Sequence, residues 1–171
     1  MKSKENLVFL GMMGSGKTSI GSIISQKLKI NFIDVDQEIE KKIGMKIHMI
    51  FRKEGEKYFR KIEEDLTLKI LKKNNTVISL GGGAFLNPKI KKQILENHIS
   101  FWLNWEITTL VDRIEKNQKR PIAFNSTRNE LIELIKKRSI VYSKAMYKIE
   151  CENLTKDQIT KNILKIYYET H

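Results

Sequence analysis

The chain is poor in several residue types, with one cysteine, two prolines and three histidines among 171 residues. A lone thiol, Cys151, excludes an internal disulfide and fits a reducing compartment. His48, His98 and His171 show no metal-ligand spacing. No Pro/Ser linker, low-complexity segment or internal repeat divides the chain. No apolar run approaches the roughly 20 residues of a bilayer span. The start, MKSKENLVFLGMMG, has the lysines and short apolar run of a signal peptide. That run leads directly into a glycine loop that cleavage would destroy. The expectation is a cytoplasmic protein with no membrane partner. The length fits one domain with a real core, and 40% hydrophobic with 30% charged residues is a globular composition.

The formal net charge is +12, which invites an acidic partner. Lysines are nevertheless spread through EKKIGMKIH, ILKKNN and KIKKQ, without a basic block interleaved with aromatics. A solvated basic surface is the simpler reading. A basic nucleic-acid-binding module is the non-enzyme alternative, and it predicts salt-sensitive binding to DNA or RNA.

Five short, nearly continuous apolar runs read as strands buried on both faces: 6–11, 31–36, 76–81, 99–104 and 147–151. Helix-length patterns separate them. One stripe is Ile20, Ile23, Ile24, Leu28, and another is Phe59, Ile62, Leu66, Ile70. Thr155 and Gln158 stand at capping-box spacing before the last helical pattern. Strand-helix alternation of this kind predicts an α/β domain with a parallel sheet.

Glycine is not abundant, but six of the nine fall in two clusters. The first, GMMGSGKT from Gly11 to Thr18, satisfies G-x-x-x-x-G-K-[ST], with a strand before it and a helix after it. Such a loop curls its N–H groups around an anion at a helix N-terminus. Lys17 is placed to reach the β- and γ-phosphates of a nucleoside triphosphate, and Thr18 to ligate Mg²⁺. No N-K-x-D guanine signature is present. The second cluster, Gly81-Gly82-Gly83, closes the third strand, where a backbone lying flush against a ligand needs no Cβ.

The second strand, NFIDVDQEIE, supplies the acids. On an extended strand end Asp34 and Asp36 point the same way, toward the edge where α/β sheets bind ligands. One can serve the metal and the other can accept a proton from an attacking hydroxyl. The simpler alternative is a pair of solvated acids that cap the helix near Gln37. Arg60 reads from spacing as an i,i+4 surface partner of Glu64. Arg138 interrupts the apolar stripe Leu131, Ile135, Tyr142, Ala145. A guanidinium on a core-directed face needs an anion, either an internal acid or a ligand carboxylate. The polar stretch EKNQKRPIAFNST, with Arg120 beside Pro121, suits a lid or an ordinary surface loop.

Six stretches in order, GMMGSGKT, FIDVDQEIE, IFRKEGEKYFRKIEE, VISLGGGAF, KRPIAF and KKRSIVYSKA, resemble the shikimate kinase family. The resemblance spans nearly the whole chain, from about Leu7 to the last helix. It implies a three-layer α/β/α P-loop kinase fold of the nucleoside-monophosphate-kinase type, with a five-stranded parallel sheet in order 2-3-1-4-5. One domain would cover residues 1–171, with a lid over about 112–125 and a shikimate-binding helical region over about 36–62. The implied reaction is ATP-dependent, Mg²⁺-assisted phosphorylation of the shikimate 3-hydroxyl, giving shikimate 3-phosphate and ADP on the route to chorismate and aromatic amino acids. A monomer acting on small molecules, without nucleic acid, is expected.

By the same resemblance, Gly14, Ser15, Gly16, Lys17, Thr18 and Ser19 cradle ATP, Arg113 lies against adenine, and Thr18 and Asp34 hold Mg²⁺. Lys17 and Arg120 stabilise the γ-phosphoryl charge. Asp36 holds the hydroxyls and assists deprotonation. Arg60 and Arg138 clamp the carboxylate, which replaces the surface pairing read for Arg60. Gly81, Gly82 and Gly83 approach the ring, and Phe51 and Phe59 wall the pocket. The chain departs from the family at ECENLTKDQ, which lacks the usual proline and basic residue near adenine, and at Ala123 in the lid. A kinase for another polyol acid, such as gluconate, is the competing enzyme.

Overall fold

A computed structural model describes residues 6–116 and 126–170. The strands are β1 (Asn6–Leu10), β2 (Asn31–Asp34), β3 (Thr76–Ser79), β4 (Ile99–Asn104) and β5 (Tyr147–Glu150). They form one sheet in the order β2-β3-β1-β4-β5, every neighbouring pair parallel. The helices are α1 (Lys17–Leu28), α2 (Val35–Ile43), α3 (Ile47–Leu71), α4 (Pro88–Asn97), α5 (Ile107–Lys116), α6 (Arg128–Tyr142) and α7 (Lys156–Thr170).

The period of two along β1 sorts its residues between two cores. Leu7 and Phe9 pack with Val77, Phe101, Ile149 and the inner faces of α1 (Ile20, Ile24) and α7 (Ile159, Ile163). Val8 and Leu10 face the opposite way, against α2 (Val35, Ile39), α3 (Phe59), α5 (Val111, Ile114) and α6 (Leu131, Ile135). This explains why the strands are apolar without alternation: both faces are covered. Phe9 and Phe101 are fully buried and stack with centroids 5.5 Å apart. Phe101→Ala is worth roughly 3–5 kcal/mol of stability by the usual cost of emptying an aromatic site.

Two local devices set up the site. The Asn6 amide donates to the Leu71 and Lys73 carbonyls, and its Oδ1 accepts from Thr76 N, tying the end of α3 to the start of β3. Inside α3, Gly55 adopts φ 85 and ψ 169, a break in the helix that only glycine takes readily. Phe51, before this break, and Phe59, after it, come together with ring centroids 4.6 Å apart.

The expected capping box is present: Gln158 N donates to Thr155 Oγ1, and Thr155 N donates to Gln158 Oε1. The second strand ends earlier than its pattern predicts. Asp34 is the N-cap of α2, accepting from Gln37 N at 3.2 Å, and Asp36 lies in the first helical turn. The two acids therefore do not share a strand face by period-two alternation. Capping of α2 by the Asp34 carboxylate wins over strand extension.

Candidate active site

The glycine loop leaves β1, the central strand, at its carboxyl end. Gly14 and Gly16 take φ 78 and φ 90, conformations that disfavour any side chain. Lys17 is 6% exposed, and its ammonium donates to the carbonyls of Gly11 (2.9 Å) and Met12 (2.8 Å). It is thereby held across the mouth of the loop at the N-terminus of α1. Thr18 Oγ1 donates to Asp34 Oδ2 at 2.5 Å, which brings the first residues of α1 against the end of β2. Gly14, Gly16, Lys17, Thr18, Ser19, Asp34 and Asp36 line one cleft of about 230 Å³.

A second cleft adjoins it, lined by Met13, Asp36, Ile47, Phe51, Phe59, Arg60, Glu63, Gly82, Gly83 and Arg138. Asp36 belongs to both. Arg60 donates to Glu63 at 2.7 Å and to Glu56 at 3.2 Å, and its guanidinium lies 5.2 Å from the Phe59 ring centroid. Burial works to lower the Arg60 pKa, but Glu63 and Glu56 together hold it above its ordinary value. Burial pushes the Glu63 carboxyl up, against the pull of Arg60. Arg138 is 6% exposed, and its Nε has no hydrogen-bond partner among the described residues. Its Nη1 reaches a soft acceptor, Met12 Sδ, at 3.8 Å, and its charge also acts on the Tyr142 hydroxyl and the Glu63 carboxyl. A buried guanidinium with an unpartnered Nε and no salt bridge among the described residues has capacity left for an anionic ligand.

One turn beyond Arg138, the Tyr142 hydroxyl donates to the Gly82 carbonyl and pins the glycine triplet. Burial pushes this phenol to about 12, so it stays a neutral donor. None of the three glycines has a positive φ, so the triplet answers a need for space. A Cβ on Gly81 would fall 2.6 Å from Asp36 Oδ1 and 2.8 Å from Glu63 Oε1, and one on Gly83 would fall 2.8 Å from Arg60 Cζ. The triplet lies flush against the charged side chains of the pocket.

Asp36, Phe51, Phe59, Arg60, Gly82, Gly83 and Arg138 thus share one cleft. Arg60 does not pair with Glu64, whose carboxylate accepts instead from Asn87 and Lys89. The reason is the helix face: Glu64 points to α4, whereas Glu63 lies one turn beyond Phe59 on the inward stripe. Glu63 escaped the sequence reading, although that position in the stripe marks it. Arg113 donates to the Gly14 carbonyl at 3.2 Å, beside the loop. Arg120 and most of the expected lid, residues 117–125, lie outside the described residues. Thr18 and Asp34 offer a hydroxyl and a carboxylate side by side. That donor set suits Mg²⁺, which takes few protein ligands and completes its shell with water and phosphate oxygens. The described residues contain no group of three or more His, Cys, Asp or Glu able to hold a metal by themselves.

A polyphosphate cradle at the carboxyl end of a parallel sheet, sharing an acid with a cationic pocket, defines a small P-loop kinase with an anionic acceptor. Comparison with known proteins narrows the class. A family model described as Shikimate kinase matches residues 13–167. The chain is 37% identical to the shikimate kinase of Persephonella marina over 93% of its own length and 96% of that protein's. It is 36% identical to that of Bacillus subtilis, over 95% and 88% respectively. A structure of shikimate kinase from Acinetobacter baumannii in complex with shikimate superposes with a TM-score of 0.91 at 28% identity, covering 98% of this chain and 95% of that one. The chain belongs to the shikimate kinase family and is an ATP-using phosphotransferase. A gluconokinase from Sinorhizobium meliloti 1021 superposes with a TM-score of 0.56 at 13% identity, a likeness of fold alone. No helix among the described residues is long and apolar enough to cross a membrane.

Proposed function

We propose that this chain transfers the γ-phosphoryl group of ATP to the 3-hydroxyl of shikimate, with the residue roles that follow. The observation that carries the reading is Asp36, which lines both the phosphate cleft and the cationic pocket. A hydroxyl held by Asp36 is presented to the end of a triphosphate lying along the glycine loop. Arg138 and Arg60 bind the carboxylate, and Phe51 and Phe59 pack against the ring. The acid is thereby oriented before transfer, which contributes more than bond chemistry in this reaction class. Asp36 orients the hydroxyl and accepts its proton as the oxygen–phosphorus bond forms. ADP departs with the electrons of the broken bond. Lys17 and Arg120 stabilise the charge that develops on the transferring group. Gly14, Ser15, Gly16, Thr18 and Ser19 hold the phosphates. Thr18 and Asp34 would hold Mg²⁺, which supplies charge neutralisation on the phosphate oxygens. The chain acts as one domain and a monomer, with a lid over about 112–125 and a shikimate-binding helical region over about 36–62.

An ADP-release assay tests this directly. Turnover that requires shikimate, disappears on chelation of Mg²⁺ and is negligible with gluconate is the expected result. Turnover with gluconate and none with shikimate would overturn the substrate, and undiminished turnover in chelator would remove Thr18 and Asp34 as metal ligands.

A further inference from the structure

The guanidinium of Arg113 lies 3.7 Å from the ring centroid of Trp105, a separation at which plane and ring are in stacking contact. Trp105 itself is fixed: its indole N–H donates to the Ser15 carbonyl at 2.9 Å, so the ring cannot turn away without breaking a bond to the phosphate loop. Arg113 is fixed a second time by its hydrogen bond to Gly14 O at 3.2 Å. Across from this pair, the chain after β5 is moored to the start of α5. The Glu152 carboxylate accepts from Glu106 N at 3.2 Å and from the Thr109 hydroxyl at 3.0 Å. Asn153, in the left-handed region at φ 60, turns that chain toward α7. Cys151, which opens that turn, donates its N–H to Asn104 O at 2.9 Å, one residue before Trp105.

We infer that Trp105 is a positioning residue for nucleotide base recognition, an indole shelf that holds the Arg113 guanidinium flat so that its other face receives the adenine ring. The inference rests on the proposed role of Arg113 at adenine. A guanidinium on a flexible stem must be ordered before it can stack on a base, and that ordering cost is met in the unliganded protein by Trp105. The segment ECENLTKDQ lacks the proline that the family resemblance leads one to expect near adenine, so an Arg113 held by Trp105 would carry more of the base contact.

The test compares Trp105→Leu, which removes the aromatic face, with Trp105→Phe, which keeps a smaller aromatic face and loses the N–H. Trp105→Leu should raise the ATP KM about tenfold, from the cation–π contribution. The shikimate KM and the affinity for inorganic tripolyphosphate should stay within about twofold, because neither involves the base. Trp105→Phe should recover most of the loss. ADP titration should change the indole emission of the unmodified protein, and this change should shrink in Trp105→Phe, where Trp102 is the remaining indole. Equal losses in both variants would assign the effect to the Ser15 hydrogen bond and overturn the shelf. Equal weakening of ADP and tripolyphosphate, or parallel rises in both KM values, would make Trp105 a loop support and overturn it too. Shikimate-dependent turnover by the unmodified protein is read separately, so failure of the shelf and failure of the proposed function give different results.

Discussion

The two clefts that meet at Asp36 are built from opposite materials. The phosphate cleft draws most on one continuous stretch, Gly14 to Ser19, whose recognition groups are backbone amides and a lysine bonded to its own loop. The acid pocket collects side chains from α2, α3, the β3 loop and α6, and its cations face one buried carboxylate, Glu63, aromatic rings and one sulfur. A substitution in the first should act on the charge that appears during transfer, and one in the second on the hold over the ground-state acid. That contrast gives Lys17→Ala the largest effect. Its kcat should fall by about 10³-fold, as when a preorganised transition-state donor is removed, while the shikimate KM changes little. Steady-state kinetics decide, and near-normal turnover would deny Lys17 its role.

Arg138→Ala should come next. The shikimate KM should rise about 100-fold, the usual scale for removing one partner of a desolvated charge pair, with the ATP KM within about threefold. The reverse pattern would take Arg138 out of the acid pocket and dissolve the distinction between the clefts.

The same contrast governs how far the sequence alone reaches. GMMGSGKT declares itself because a backbone cradle needs glycines at fixed spacing within one loop. The sheet is equally plain, since strands covered on both faces are apolar throughout, and the order 2-3-1-4-5 inferred from family resemblance is the order found. The acid pocket is harder, because its members meet only through tertiary packing. Arg138 announces itself by breaking an apolar stripe. Arg60 does not, and spacing pairs it with Glu64, when the helix turns Glu63 toward it instead. The sequence pattern puts Asp34 and Asp36 on one strand because local alternation cannot show where a capping bond begins a helix.

The glycine triplet allows a finer test of whether the pocket depends on side-chain placement. Gly81→Ala puts a methyl against the Asp36 and Glu63 carboxylates, which lie at the ends of side chains and can swing aside. Folding should survive. The kcat/KM for shikimate should drop about 10- to 100-fold, the scale of a small misplacement of a reacting group. A thermal midpoint that collapses while the specific activity of the folded fraction is unchanged would show instead that the backbone, not Asp36, gave way.

The smallest expected effect asks which force wins inside the acid pocket, burial or the Arg60 charge. Burial raises the Glu63 carboxyl above its ordinary value of 4.5, so the folded protein holds that proton more tightly than the unfolded chain does. The sign follows from linkage: the contribution is full below pH 4.5 and is lost as pH rises through the elevated folded value. Glu63→Gln cannot titrate. The unmodified protein should therefore lose thermal midpoint relative to this variant between pH 4.5 and neutrality, by about 2 °C. A relative midpoint that climbs with pH would mean that Arg60 outweighs burial, making the pair a net stabilising ion pair whose strength the substrate carboxylate must match.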